Sequence, residues 1–183
     1  MFATIPIYEA IDIIEIIPET VGHTKPWVVL ANTPEGLKSY VVKLYNSIQV
    51  EEHFIVIREV VSNILAEEFD LKVPQFALIS IPPDLAFMQD SDAQQQYDNA
   101  DDRPKFVTIQ LNNVLTATKE IPKRYFTKRI QIDTLYAFDN IIRNSDRGHP
   151  KMNLLMRPKE AILIDHELAL RRQDIVNIDI NNL

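Results

Sequence analysis

The 183-residue sequence contains no cysteine, which excludes disulfides, thiolate zinc sites and cysteine nucleophiles. Only three glycines are present. Neither Gly-x-x-x-x-Gly-Lys-Ser/Thr nor Gly-x-Ser-x-Gly occurs, so P-loop NTPase and α/β-hydrolase chemistry are set aside. No apolar run approaches the roughly 20 residues of a membrane span. Asp12 and Glu15 interrupt the longest stretch near the start, and Met1 to Pro6 lacks the basic, then apolar, pattern of a signal peptide. These absences predict a soluble, cytoplasmic protein without membrane association. Positive charge is also scarce: 19 Lys and Arg stand against 26 Asp and Glu, for a net charge of -7. An acidic chain repels phosphate backbones and argues against direct nucleic-acid binding. Lys123-Arg124 with Lys128-Arg129 is the one local basic patch.

What is present is a 46% hydrophobic chain of ordinary charged fraction, enough for one core or two small lobes. The first third reads as strands: Ile11 to Ile17, Trp27 to Ala31, and Tyr40 to Tyr45. Thr33-Pro34-Glu35-Gly36 supplies a turn, so the strands form an antiparallel meander. From Glu51 to Phe69 the period changes. Phe54, Ile57, Val61, Ile64, Leu65 and Phe69 recur at helical spacing, and Asp70 to Pro74 ends the helix. Phe76 to Ile81 and Lys105 to Ile109 read as further strands. The polar, acidic stretch 89–104 reads as a surface loop or mobile insertion. Ile132 to Ile142 is helical, with Leu135, Phe138, Ile141 and Ile142 as its apolar residues. Asn153 to Met156 and Ala161 to Ile164 form a hairpin around Arg157-Pro158-Lys159-Glu160. The class is α+β, with a β-rich first half and a helical second half.

The densest cluster of functional side chains is Asn144-Ser145-Asp146-Arg147-Gly148-His149-Pro150-Lys151-Met152-Asn153, followed past the hairpin by Asp165-His166-Glu167. Phosphoryl transfer uses such a set. One carboxylate orients the attacking hydroxyl, while an amide oxygen and a second carboxylate hold magnesium against the phosphates. The hairpin explains how Asn153 and Asp165 converge. In the first half Lys43 interrupts an apolar strand and is costly there unless paired; Glu59 on the next helix is a candidate partner.

Val41-Val42-Lys43, Arg58-Glu59-Val60-Val61, Leu71-Lys72-Val73-Pro74, Phe138 to Arg147, Asn153-Leu154-Leu155 and Leu163-Ile164-Asp165-His166-Glu167 together resemble HipA-like kinase domains of the small stand-alone branch. The resemblance covers roughly Gly22 to Leu170. It implies a protein-kinase-like two-lobed fold as one domain over 1–183, with an N-lobe to about 109 and a short, mostly helical C-lobe over 110–183. It implies ATP and Mg2+ as cofactors and a protein Ser/Thr hydroxyl as acceptor. Lys43 would contact the phosphates, with Glu59 as its partner and Gly22 as the sole glycine near the phosphate loop. Backbone of the segment from Thr108 through Gln110 to Leu111 would meet adenine. Asp146 would be the catalytic aspartate, and Asn153 and Asp165 the metal ligands. Arg147 would sit beside Asp146. Kinase-like folds usually continue with several helices after the position of Asp165, so the resemblance implies a minimal C-lobe, a fragment of a longer one, or one completed by a partner chain.

Each residue also has a plainer reading. Asp146 and Asn153 are ordinary turn formers, Lys43 can snorkel from an edge strand, and Glu59 can face solvent. His149 and His166 invite a transition-metal site, but no His-x-x-x-His spacing supports one. Thr20, Thr24 and Ser47 are open to self-phosphorylation, with nothing to select among them. The rival function is a pseudokinase or nucleotide-binding regulatory module without turnover, and a structural interaction domain stands third.

Overall fold

The computed structural model describes residues 4–18, 25–118, 120–148 and 152–171. Gly22, His149, Lys151, Thr20 and Thr24 lie outside the described residues. The chain forms two compact units. One comprises Met1–Glu52 and Gln75–Leu111, the other His53–Pro74 and Asn112–Leu183. The chain therefore passes between units three times, whereas the sequence suggests a single passage near residue 109.

The first unit is built on five strands: β1 (Ile7–Ile16), β2 (Trp27–Thr33), β3 (Gly36–Val42), β4 (Phe76–Ser80) and β5 (Lys105–Ile109). The antiparallel meander β1-β2-β3 is present as expected. Gly36, at φ 107, ends the tight Pro34-Glu35 turn in a conformation that side chains resist. The sheet does not stay open. β5 adds antiparallel to β3, β4 to β5, and β4 returns parallel to β1, closing a barrel. Two register shifts in β1 give it the extra twist that closure needs. They also spoil its period of two, so Ala10 and Ile13 point inward while Ile7, Ile11 and Ile14 face outward. Trp27, Val29, Val42, Ile79 and Val107 fill the interior.

After α3 (Pro83–Phe87), the acidic stretch 89–104 is a loop only in part. It holds α4 (Ser91–Asp98), started by Asp90, whose side chain accepts from Ala93 N at 2.9 Å. Two residues attach α4 to the barrel. Gln96 Oε1 accepts from Trp27 Nε1 at 2.9 Å, and Tyr97 stacks on the indole while its hydroxyl donates to Ile81 O at 2.7 Å. A helix anchored by Ala93, Gln96 and Tyr97 shows little apolar periodicity, which is why its composition suggests disorder.

Beyond α4, Asp101 is buried. Its carboxylate accepts Arg103 Nε at 2.8 Å and Nη2 at 2.6 Å, and this guanidinium holds the Asp101 carboxyl well below the usual carboxylate range. Lys105 donates to the carbonyls of Asp101 and Arg103, while its burial pushes the ammonium pKa down. A carboxyl whose folded pKa is depressed stabilises the fold above its unfolded pKa, and that contribution is lost as pH falls below it. Asp101→Asn is therefore expected to cost about 1–2 kcal/mol at pH 7. The difference from the parent should shrink as pH drops from about 5 toward 2. Urea unfolding across that range checks it, and a pH-independent difference would assign the cost to packing alone.

Between β3 and β4 the expected single helix is two. α1 (Ser47–Glu51) starts with a capping box, Asn46 accepting from Gln49 N and Gln49 from Asn46 N, both at 2.9 Å. α2 (Ile55–Glu68) follows Phe54, which sits at φ 51 and breaks the continuity.

In the second unit, α2 joins a three-stranded antiparallel sheet of β6 (Leu115–Thr116), β7 (Leu154–Met156) and β8 (Ala161–Leu163), with α5 (Lys123–Thr127) and α6 (Ile132–Ile141). Phe138, Ile142, Leu154 and Leu163 centre its core. The β7–β8 hairpin turns at Arg157-Pro158-Lys159-Glu160 as expected, with Arg157 N donating to Glu160 O. Ile141, expected inside, is exposed. The α+β class holds.

Both long helices of this unit end in Schellman motifs without glycine. After α2, Asp70 N donates to Glu67 O and Leu71 N to Ala66 O, with Asp70 at φ 56. After α6, Arg143 N donates to Asn140 O and Asn144 N to Asp139 O, with Arg143 at φ 50. Asp70→Gly should remove left-handed strain and stabilise the chain by about 0.5–1 kcal/mol, read as a higher urea midpoint at unchanged slope. A lower midpoint would mean that the Asp70 side chain contributes more than its backbone costs.

Candidate active site

α6 delivers the polar loop. Its Schellman ending turns the chain sharply, and Asn144 Oδ1 then accepts from Asp146 N at 3.1 Å, a local turn that fixes the backbone at Asp146. Asn153 approaches from the other end of the loop. Its Nδ2 donates to Asp146 Oδ2 at 2.8 Å. Both of its nearest partners on Asp146 are acceptors, so the amide is oriented by chemistry, with nitrogen toward Asp146 and Oδ1 turned away. Among the described residues none donates to that Oδ1.

Arg147 braces the same loop. Its Nε lies 3.0 and 2.9 Å from the two carboxylate oxygens of Asp139 on α6, and its Nη1 donates to Asn153 O at 2.8 Å. The Arg147 side chain is 4% exposed and that of Asp139 17%. One guanidinium thus links the helix before the loop to the residue after it. Asn153 O also accepts from Ile164 N at 3.0 Å, at the base of the hairpin where Leu154 pairs with Leu163. The hairpin therefore holds Asn153 and Asp165 on adjoining strand ends, as the sequence reading expects. Asn153 and Asp165 both have left-handed backbones, at φ 47 and 61. Asn and Asp tolerate this region best, and such strain concentrates where side chains must be aimed.

The segment after Asp165 is pinned by α2. His166 N donates to Glu59 Oε2 at 3.1 Å, and Arg58 Nη1 donates to Glu167 O at 3.3 Å. This explains the face that α2 buries. It is Ile55, Arg58, Glu59, Ser62, Asn63 and Ala66, a regular helical stripe but a polar one, while Ile57 and Phe54, expected inside, are exposed. Glu59 is thus engaged with His166 inside the second unit. His166 itself is fully buried, edge-on to Phe138 with ring centroids 5.9 Å apart. Among the described residues no three His, Asp or Glu side chains cluster as a metal site, which gives the transition-metal reading of His166 no support.

Lys43 lies in the first unit, one residue past the end of β3 rather than inside a strand. Thr108 is in β5, paired with Val41 and with Phe76. Gln110 follows that strand and its N–H donates to Ser39 O at 2.8 Å; Leu111 closes the unit. Thr108 thus lies in β5, and Gln110 and Leu111 run on directly from it. Gly22 is outside the described residues.

Chemically, Asp146, Asn153 and Asp165 offer two carboxylates and one amide oxygen, all hard donors. That set fits Mg2+, which takes few protein ligands and completes its shell with water and phosphate oxygens. Three residues that the sequence reading did not assign complete the frame: Asp139, Asn144 and Arg58. A family model described as HipA-like kinase matches residues 13–181. No curated protein matches the chain.

Proposed function

The chain belongs to the HipA-like kinase family, and on that premise we propose that it is an ATP- and Mg2+-dependent phosphotransferase acting on a protein Ser or Thr hydroxyl. The observation that carries this reading is the Asn153–Asp146 hydrogen bond at the mouth of the β7–β8 hairpin. It ties a carboxylate suited to an acceptor hydroxyl to an amide whose oxygen is left for a cation. The magnesium ion, when bound, neutralises charge on the phosphates. Asn153 Oδ1 and the Asp165 carboxylate would hold it.

The residues of the chain do the positioning. Asp146 orients the acceptor hydroxyl and takes its proton at a carboxylate oxygen. Arg147 keeps Asn153 in place by holding its carbonyl. Glu59 and Arg58 fix the backbone immediately after Asp165, so in this reading Glu59 acts on the metal-binding turn. Lys43, and the backbone from Thr108 to Leu111, carry the nucleotide-binding role in this reading. Such a site works by geometry and electrostatics prepared before the substrate arrives.

Calorimetric titration of ATP, with and without Mg2+, into the parent chain and Asp165→Ala tests the proposal. The parent should bind with a clear magnesium dependence. The variant should lose that dependence while its unfolding midpoint stays close to the parent's. Absence of nucleotide binding by the parent would sink the proposal. A magnesium effect that persists in Asp165→Ala would move the metal elsewhere.

A further inference from the structure

A cavity of about 890 Å3 in the second unit is lined by residues that play no part in the Asp146 network. Lys72 comes from the turn after α2, Lys123 opens α5, Lys128 and Arg129 follow it, and Lys159 comes from the hairpin turn. Five of the chain's 19 lysines and arginines thus converge on one concave wall from three distant segments. They do so in a protein of net charge -7.

The four ammonium groups have no hydrogen bond or ion pair among the described residues. Like charges gathered without partners repel, and a concave wall of one sign focuses its field outward on an incoming anion. The carboxylates on the same wall are Asp70, Asp133 and Glu160. Glu160 is turned to Arg157 at 3.4 Å, and Asp133 sits in the first turn of α6, where it complements the helix dipole. They do not neutralise the lysines pairwise.

The geometry points to a second ligand site, for a small multiply charged phosphate compound, separate from the Asp146–Asn153–Asp165 centre. The volume is that of a metabolite pocket. Mobile ammonium groups suit phosphate as point charges. The assignment does not rest on the kinase reading.

Pyrophosphate and a sugar bisphosphate, each titrated calorimetrically into the full chain without magnesium, test it. At least one should bind more tightly than about 1 mM, with affinity falling as salt rises. Their ranking separates a phosphoanhydride ligand from a phosphate ester. Lys123→Gln/Lys128→Gln, at two exposed positions, should weaken binding at least about tenfold at an unchanged thermal midpoint. Lys72→Gln provides an independent second variant with the same direction of effect. Lys43→Ala should leave binding intact. The assignment is overturned if neither compound binds, if binding survives the double variant, or if Lys43→Ala alone abolishes it. Equal binding of a hexaglutamate peptide would also overturn it, because the wall would then read negative charge rather than phosphate.

Discussion

Asp146→Asn is expected to slow ATP turnover by about 10²–10⁴-fold while leaving Mg2+-ATP affinity within about twofold of the parent. The substitution is isosteric, and the Asn144 turn that sets the Asp146 backbone does not involve its side chain. Oδ2 of Asp146 accepts from Asn153 Nδ2, and an asparagine oxygen can accept the same bond. What disappears is the negative charge and the ability to take a proton. Loss in the rate with little loss in binding is the signature of an interaction made chiefly in the transition state. ADP release in steady state, together with calorimetry, separates the two. Retention of more than a tenth of the parental rate would remove Asp146 from the chemistry. A parallel loss of ATP affinity would assign it to the metal instead.

Arg147→Met should cost about 3–5 kcal/mol in stability, the largest expected for any single substitution at the site. The guanidinium serves Asp139 and Asn153 O at once, in a nearly closed environment. Removing it leaves the mostly buried Asp139 carboxylate with only the long contact from Asn144 Nδ2 at 3.4 Å and frees a strained left-handed residue at Asn153. Arg147→Lys should recover only part of the loss, since one ammonium cannot match two diverging acceptors. Urea unfolding of the Asp139→Asn, Arg147→Met and double variants isolates the coupling between them. A cost below about 1 kcal/mol would make the pair an ordinary surface ion pair.

The core of the site was legible in the sequence because its residues mark the ends of well-patterned elements. Asp146 follows an amphipathic helix, and Asn153 and Asp165 bracket a short apolar hairpin. Two short apolar runs with a four-residue turn fix that hairpin locally. The supporting residues were hidden for the opposite reason. On α2 the buried stripe includes Arg58, Glu59, Ser62 and Asn63, and Leu135 and Phe138 of α6 and Ile142 just after it are buried while Asp139 completes the same three-and-four spacing. A search for apolar periodicity selects Ile57 and Ile141 instead, both exposed. The useful signal would have been polar residues placed in helical register with the apolar ones. The barrel was illegible for a third reason. Its closure depends on a parallel pairing between strands far apart in sequence, and bulges erase the alternation in β1. α4 was missed because hydrogen bonds from Gln96 and Tyr97 hold it rather than an apolar face.

Barrel closure has a consequence for synthesis. Ile7 pairs with Leu78, and β5, which runs from Lys105, lies between β3 and β4. A nascent chain has therefore displayed β1 for about 100 residues, and the completed β1-β2-β3 meander for about 65, before the barrel can shut. During that interval it has also emitted His53–Pro74, a segment that must wait for Asn112 and beyond to find its own unit. Pairings of such sequence separation form slowly and leave unpaired edges open to other chains. Neither unit is a continuous piece of polypeptide, so no single cut yields one of them whole. Fragments ending before Leu111 should aggregate where the full chain folds.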